Sequence, residues 1–519
     1  MRADHQVGPL VKGLYFSPGF IKENFCMSNK IPHPQKGLSG GQYKPLTDTQ
    51  VQQIHQASLT ILNRTGVKVE ESQALELFES FGANIDGNRV RIPSALIEET
   101  LDKALSRVVL AGRDPINDLI LEGSRVHIGT GGAALQVIDL ETEKIRPATL
   151  KDAADMARIV DALDNIHFYL LPIYPTDIPE ESVEISKYYA ALTNTTKHVQ
   201  AGAFTIQGIR DVIEMSERIM GSAAALRERP VVSFITSWMV SPLMFATDVT
   251  TLMIEVCRQG MPVVLSSAPM AGSTSPVTLA GTLAQLNAEQ LAGLTLTQMV
   301  NPGTPVLIGP IPATANMRTG SYLGGSVELG LCNAAITQMA HFYKVPIYNS
   351  AGMTESKLPD IQAGIEKTQS IIQVALAGGN FIHHAAGMLE DMSTIAYEQF
   401  VIDNDVLGMA MRAVRGIEVN DETLALDAID RIGPGNHYLS DEHTMRYFRT
   451  EHLFPSDVID RQSRDEWETD GSKDARTRAQ EIARDILEKH QPTPLNADVD
   501  EWIQKQFAST LILSGGSTN

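Results

Sequence analysis

Seven short apolar runs recur in the second part of the chain and constrain its fold more than any other feature. They are "IHFYLLPIYP" from residue 166, "HVQAGAFT" from 198, "VVSFITSWM" from 231, "PVVLSSAP" from 262, "PVLIGPIP" from 305, "VPIYNSAG" from 345 and "NFIHHAAG" from 380. Their starts lie about 31 to 43 residues apart, and helical patterns such as "IQAGIEKTQSIIQVALA" at 361–377 separate them. Near-continuous apolar strands alternating with helices predict a parallel sheet covered on both faces. With a weaker eighth strand near "HYLS" at 437, the count matches a (β/α)8 TIM barrel better than an open doubly wound sheet. No G-x-G-x-x-G turn follows any strand, so a dinucleotide fold has no fingerprint here.

The expected organisation is an α/β chain. It has an N-terminal extension (1–47), an N-terminal α+β region (48–165), the barrel (166–450) and a C-terminal helical region (451–519). In the α+β region, "LTDTQVQQIHQASLTILNRTG" reads as a helix capped by Thr47 and stopped by Gly66. "GTGGAALQVIDLETEKIRPATL" reads as a hairpin turning at Glu141 to Glu143, with its GTGG at 129–132 a tight turn rather than an anion cradle. "DARTRAQEIARDILEKH" and "DVDEWIQKQFASTLIL" read as amphipathic helices. Residues 1–26 read as a leader upstream of a second start at Met27.

Composition removes whole classes of function. A formal charge of −20 and a pI near 5.1 argue against nucleic acid and anionic membrane surfaces as partners, and favour a basic partner or a small cationic ligand. Cys26, Cys257 and Cys332 lie too far apart for a disulfide framework or a thiolate metal cluster, which suits a reducing cytoplasm. No stretch is apolar enough to span a bilayer.

In a barrel of this kind, chemistry sits at the carboxyl ends of the strands. Those positions hold Tyr174, Asp177, Phe204, Trp238, Met270, Asn316, Arg318, Tyr348, Asn349, Glu355 and the pair His383–His384. A catalytic metal is not expected: outside that adjacent pair, the strands offer only His167, at the wrong end of its run. Neighbouring side chains of an extended strand point to opposite faces, so at most one of His383 and His384 looks into a site. Tyr174, Phe204, Trp238 and Tyr348 are candidates for an aromatic cage around a quaternary ammonium. The alternative is that these rings are core packing. Arg318 is a candidate partner for a substrate carboxylate, or else a structural ion pair with Asp177 or Glu328; His384 is the second candidate carboxylate partner.

From about residue 45 onward the sequence resembles the trimethylamine methyltransferase family of corrinoid-dependent methyltransferases. The resemblance rests on "GTGGAALQVIDLETEKIRPATLKDAADMARIVDALDNI" (129–166), "GTLAQLNAEQLAGLTLTQMVNPGTPV" (281–306) and "MRTGSYLGGSVELGL" (317–331). It continues through "AGMTESKLPDIQAGIEK" (351–367), "AAGMLEDMSTIAYEQFVIDNDVLGM" (385–409) and "GPGNHYLSDEHTMRYFRTEHLFPSDVIDRQSRDEW" (433–467).

The resemblance implies a barrel that passes a methyl group from an amine to the cobalt of a cobalamin carried by a separate corrinoid protein, with no cofactor held tightly by this chain. The founding members carry pyrrolysine. This sequence contains only the twenty standard residues, with Met353 near the corresponding region, and so resembles the branch that demethylates glycine betaine and related quaternary amines. Proline betaine, carnitine, γ-butyrobetaine and a tertiary methylamine are the alternative substrates, and a non-catalytic binding or scaffold subunit is the alternative role. A homo-oligomer stays open.

Overall fold

All seven runs form strands in the computed structural model, which describes residues 37–514. The readings placed on residues 1–26, the leader and Cys26, lie outside the described residues. An eighth parallel strand precedes the seven: β1 is Arg125–Thr130. The others are β2 (Phe168–Leu170), β3 (His198–Gly202), β4 (Val232–Thr236), β5 (Val263–Ser267), β6 (Val306–Pro310), β7 (Tyr348–Ser350) and β8 (Phe381–Ala386). The expected strand at 437–440 is not one; those residues form an irregular turn. The strand that the spacing missed lies instead upstream, where "RVHIGT" ends in the GTGG motif. That motif is therefore a strand end and not a tight turn. Its Gly129 gives way to the ring of Phe168, which a β-carbon would approach within 2.5 Å.

β2 to β6 form a five-stranded parallel half-barrel in chain order, and β7, β8 and β1 form a second parallel set. The two sets meet at both edges. Ile308 of β6 bridges Ile347, just before β7, and the His167 N–H donates to the Ile128 carbonyl of β1 at 2.7 Å. Each strand is followed by a helix, including α1 (Glu180–Asn194) after β2, α2 (Leu279–Val300) after β5, α3 (Ile361–Ala377) after β7 and α4 (Tyr397–Arg415) after β8. α2 is buried on nearly all sides, because the N-terminal helices 48–60 and 94–103 pack on its outer flank. Its sequence accordingly lacks a polar face.

The inner face of the strands carries a separate cluster of Phe168, Leu170, Val264, Leu307, Tyr348 and Phe381. It is closed at the amino ends by a hairpin, Arg107–Leu110 with Leu119–Glu122, which inserts Val108, Leu110, Leu119 and Leu121. The N-terminal helix begins at Asp48 on a reciprocal cap between Thr47 and Gln50 and runs on to Gly66. The hairpin 136–138 with 145–147 turns through Glu143 at φ 56°, and helices 475–489 and 497–506 complete the chain. No described helix is long and apolar enough to cross a membrane, and Cys257 and Cys332 are buried free thiols.

One buried ion pair ties α3 to α4. Lys367 and Asp403 lie 3.2 Å apart with both side chains essentially inaccessible to solvent. Removing one partner strands the other charge, which costs about 3–5 kcal/mol, whereas replacing both with apolar groups costs far less. Lys367→Met alone is expected to lose about that much in chemical denaturation, and Lys367→Met with Asp403→Leu to recover most of it.

Three histidines around the closed end are held neutral. Burial pushes His127 and His198 down to about 4 and His167 to about 3. An unfolded histidine takes up its proton near pH 6.5, so the stability these groups preserve is complete above pH 6.5 and is lost as pH falls toward 3 to 4. The unfolding free energy should therefore fall between pH 6 and 5, and His167→Gln should flatten that slope by about 1 kcal/mol per pH unit.

Candidate functional site at the carboxyl ends of the strands

β8 does not alternate where the two histidines stand. Ile382 pairs with Ile128 and Ala386 with Thr130, so three residues of β8 oppose the single Gly129, and His384 takes the left-handed φ of 65°. This bulge brings the two imidazoles together, with ring centroids 3.8 Å apart. The expectation that at most one faces a site is thereby corrected: a bulge breaks the period of two on which it rested. Gly131 makes the bulge fit, since a β-carbon there would come within 2.5 Å of the His384 nitrogen and 2.8 Å of its ring.

The histidines end a column of stacked rings on the inner face. Phe168 lies on Phe381 at 3.5 Å, Phe381 lies 5.6 Å from Tyr348, and Tyr348 stacks on His383 at 3.7 Å. The Asn349 carbonyl, 2.5 Å from His383 Nδ1, can only accept. His383 therefore carries its proton on Nδ1 and leaves Nε2 as a lone pair. His384 Nδ1 meets Ser350 Oγ at 2.9 Å, and Ser350 Oγ also lies 3.3 Å from Met353 Sδ. Burial pushes His383 well below the ordinary imidazole range and His384 to about 3, with Lys367 adding to the latter. Both imidazoles are neutral at ordinary pH.

The loops above are tied to one another. Lys367 Nζ donates to the carbonyls of Gly352 at 2.5 Å and Met388 at 3.3 Å, and Asp403 accepts from the Gly387 N–H at 2.8 Å. The Tyr322 hydroxyl donates to Met353 Sδ at 3.5 Å. Asp391 accepts from the Gly324 N–H at 3.0 Å and Glu355 from that of Gly325 at 3.1 Å. Burial, reinforced by Glu355, raises Asp391 to about 7. Among the described residues no group of three His, Cys, Asp or Glu side chains is placed to hold a metal ion.

The four expected cage rings do not assemble. Trp238 is fully buried on the outer side of the strands, edge-on to Phe245 at 4.5 Å and so close to Gly293 that a β-carbon there would come within 2.4 Å of its ring. It is a packing residue. Tyr174 and Phe204 meet edge to face at 5.8 Å, with Phe204 54% exposed. The protein's own Lys187 sits over the Phe204 ring at 4.4 Å while donating to the Gly202 carbonyl at 2.8 Å. Tyr348 faces inward under His383. Arg318 stands exposed in the turn 316–321, where its backbone N–H donates to Asn316 Oδ1. Among the described residues it makes no ion pair with Asp177 or Glu328; Asp177 accepts instead from the Leu150 N–H. Of the six candidates, the inner face thus brings together Tyr348 and His384.

Gln200, Ser350 and Lys367 went unnoticed in the sequence, and Gly131 was read only as part of a tight turn. The inward alternation of β3 could have flagged Gln200, and glycine at the end of "RVHIGTGG" could have flagged Gly131. Nothing local marks Lys367, which lies mid-helix.

The profile of the trimethylamine methyltransferase (MTTB) family matches residues 24–510. The trimethylamine methyltransferase MttB of Desulfitobacterium hafniense is 38% identical, covering 88% of this chain and 91% of its own. The glycine betaine methyltransferase of D. hafniense strain Y51 is 32% identical, covering 90% and 97%. The MttB of Methanosarcina barkeri is 35% identical, covering 89% and 94%. Among solved structures, dihydropteroate synthase from Thermus thermophilus overlaps 58% of this chain and 98% of its own at a TM-score of 0.34 and 13% identity, too distant to bear on function. A family profile spanning nearly the whole described chain, and relatives aligned almost end to end, place the resemblance beyond isolated motifs: the chain belongs to the trimethylamine methyltransferase family, whose members are corrinoid-dependent amine methyltransferases.

Proposed function

We propose that this protein takes a methyl group from a quaternary amine, glycine betaine or a close analogue, and delivers it to Co(I) of a corrinoid carried by a cognate partner protein. In this reading β1 to β8 close as one (β/α)8 barrel, supported by the bonds at both sheet edges, and the reaction takes place at its carboxyl mouth. The observation that carries the choice of donor is the neutrality of the site's imidazoles, which burial keeps far below neutral pH. Neutral, proton-poor histidines make weak general acids. A quaternary ammonium needs none: its C–N bonding pair stays with nitrogen, and the amine departs neutral.

When docked, the corrinoid supplies the nucleophile. This chain's part is to hold the cation, exclude water and orient one methyl outward, which is catalysis by proximity. Tyr348 and His384 are the proposed substrate contacts. Exposed apolar side chains stand on loops after six of the strands, including Leu135, Phe204, Val240, Val277, Met317 and Leu358, and give a partner protein an apolar rim to cover. A protonated tertiary amine is the second reading, favoured by the 38% identity to a trimethylamine methyltransferase.

The test is to mix the protein with reduced cobalamin and a panel of methylated amines and follow the Co(I) absorbance. Loss of Co(I) with glycine betaine or another quaternary amine is expected. Loss with trimethylamine alone would shift the assignment to the second reading, and no loss with any amine would leave a binding subunit without turnover.

A further inference from the structure

Three polar atoms on the inner face are buried with no hydrogen-bond partner among the described residues: His127 Nδ1 at the closed end, beside the hairpin, and, toward the carboxyl ends, Gln200 Oε1 and His383 Nε2. A buried polar atom left unpaired is costly, so each calls for something to satisfy it. The surrounding bonds fix what they offer. The Ala111 carbonyl lies 3.0 Å from His198 Nδ1 and can only accept, so His198 is protonated there and its Nε2 accepts from the Ser233 hydroxyl at 2.7 Å. Ser233 Oγ then accepts from Gln200 Nε2 at 2.8 Å. That relay fixes the amide with Nε2 toward Ser233 and Oε1 away from it, while the Asn349 carbonyl fixes His383 with its lone pair on Nε2. Both orphans toward the carboxyl ends are acceptors.

They share a face. Gln200 stands in register with Leu170 and Ser233, and His383 with Ser350, next to Tyr348 paired with Phe381. These are the rows of the inner cluster. Space is open nearby, since a β-carbon at Gly202 would meet nothing nearer than 3.9 Å. The aromatic face at the mouth, Phe204, already carries Lys187.

We propose that Gln200 Oε1 and His383 Nε2 are the cation-recognising dipoles of this enzyme: their negative ends face the positive methyl shell of the bound ammonium, in place of an aromatic cage. The inference rests on the amine methyltransferase reading and deepens it. An acceptor-only floor also repels a carboxylate, so a betaine is oriented with its ammonium inward and its carboxylate toward the mouth. Ser233 is a positioning residue, because it acts only by pinning the Gln200 amide.

The test is titration calorimetry of the full-length protein with tetramethylammonium, and with choline against its uncharged isostere 3,3-dimethylbutan-1-ol. Wild type is expected to prefer choline to the isostere by about tenfold or more, as charge-assisted contacts allow. Gln200→Leu should lose about tenfold for both cations and nothing for the isostere, and Ser233→Ala should fall between the two. Ser233→Ala gives the same readout if Gln200→Leu fails to fold. A Gln200→Leu variant of native thermal midpoint that keeps tetramethylammonium affinity overturns the inference while leaving the enzyme's function intact. Wild type that binds no ammonium at all removes the functional reading, and the inference with it.

Discussion

The Lys367 ammonium lies in the interior and is held at three points: the carboxylate of Asp403, the carbonyl of Gly352 and that of Met388. Gly352 follows β7, and Met388 follows β8. A single buried charge therefore sets the distance between the exits of the two strands that carry Tyr348, Ser350, His383 and His384. Taking two charges out of water costs several kcal/mol each, and their attraction repays that only with good geometry and further hydrogen bonds. Both conditions hold here: Asp403 also accepts from the Gly387 N–H and from Gln399. What such a pair supplies is less stability than definition, because an apolar pair would leave Gly352 and Met388 without a common anchor.

Definition is what the neighbouring strand requires. A bulge that gives His384 a left-handed backbone is unfavourable for a residue with a β-carbon, and it persists only where the surroundings over-determine it. Gly131 leaves the room, Lys367 fixes the turn beyond, and Ser350 holds Nδ1. The same bulge adds His384 to the end of the stacked column, since strict alternation would turn that imidazole into the helical layer.

How much of this was legible in the sequence follows the range of the interactions. Seven strands and the helix at 361–377 were readable, because buried parallel strands and the helices between them leave a local pattern of apolar residues. β1 was not, because Gly129 near its end and Gly131 just beyond it serve neighbours distant in sequence, Phe168 and the two histidines, and such glycines look like a turn. Trp238 read as a cage residue because it follows a strand end; its actual partners, Phe245 and Gly293, depend on how α2 packs. Gln200 was passed over because alternation along β3 shows that it points inward but not what it offers there. Only the relay through Ser233 and His198, set by strand register, reveals its free carbonyl.

Charge placement then narrows what the site can do. Lys187 is buried and burial lowers it to about 8, yet it still sits as a cation against Phe204. In the proposed reading, an ammonium approaching that ring would meet a like charge, offset by the Glu184 carboxylate that accepts from the Phe204 N–H. Farther in, by contrast, the inner face offers two lone pairs and two imidazoles that do not protonate in the working range. In that reading, a methylammonium that passes the outer rings meets these acceptors on the inner face, while the Lys367 ammonium stays behind His384 and is matched by Asp403.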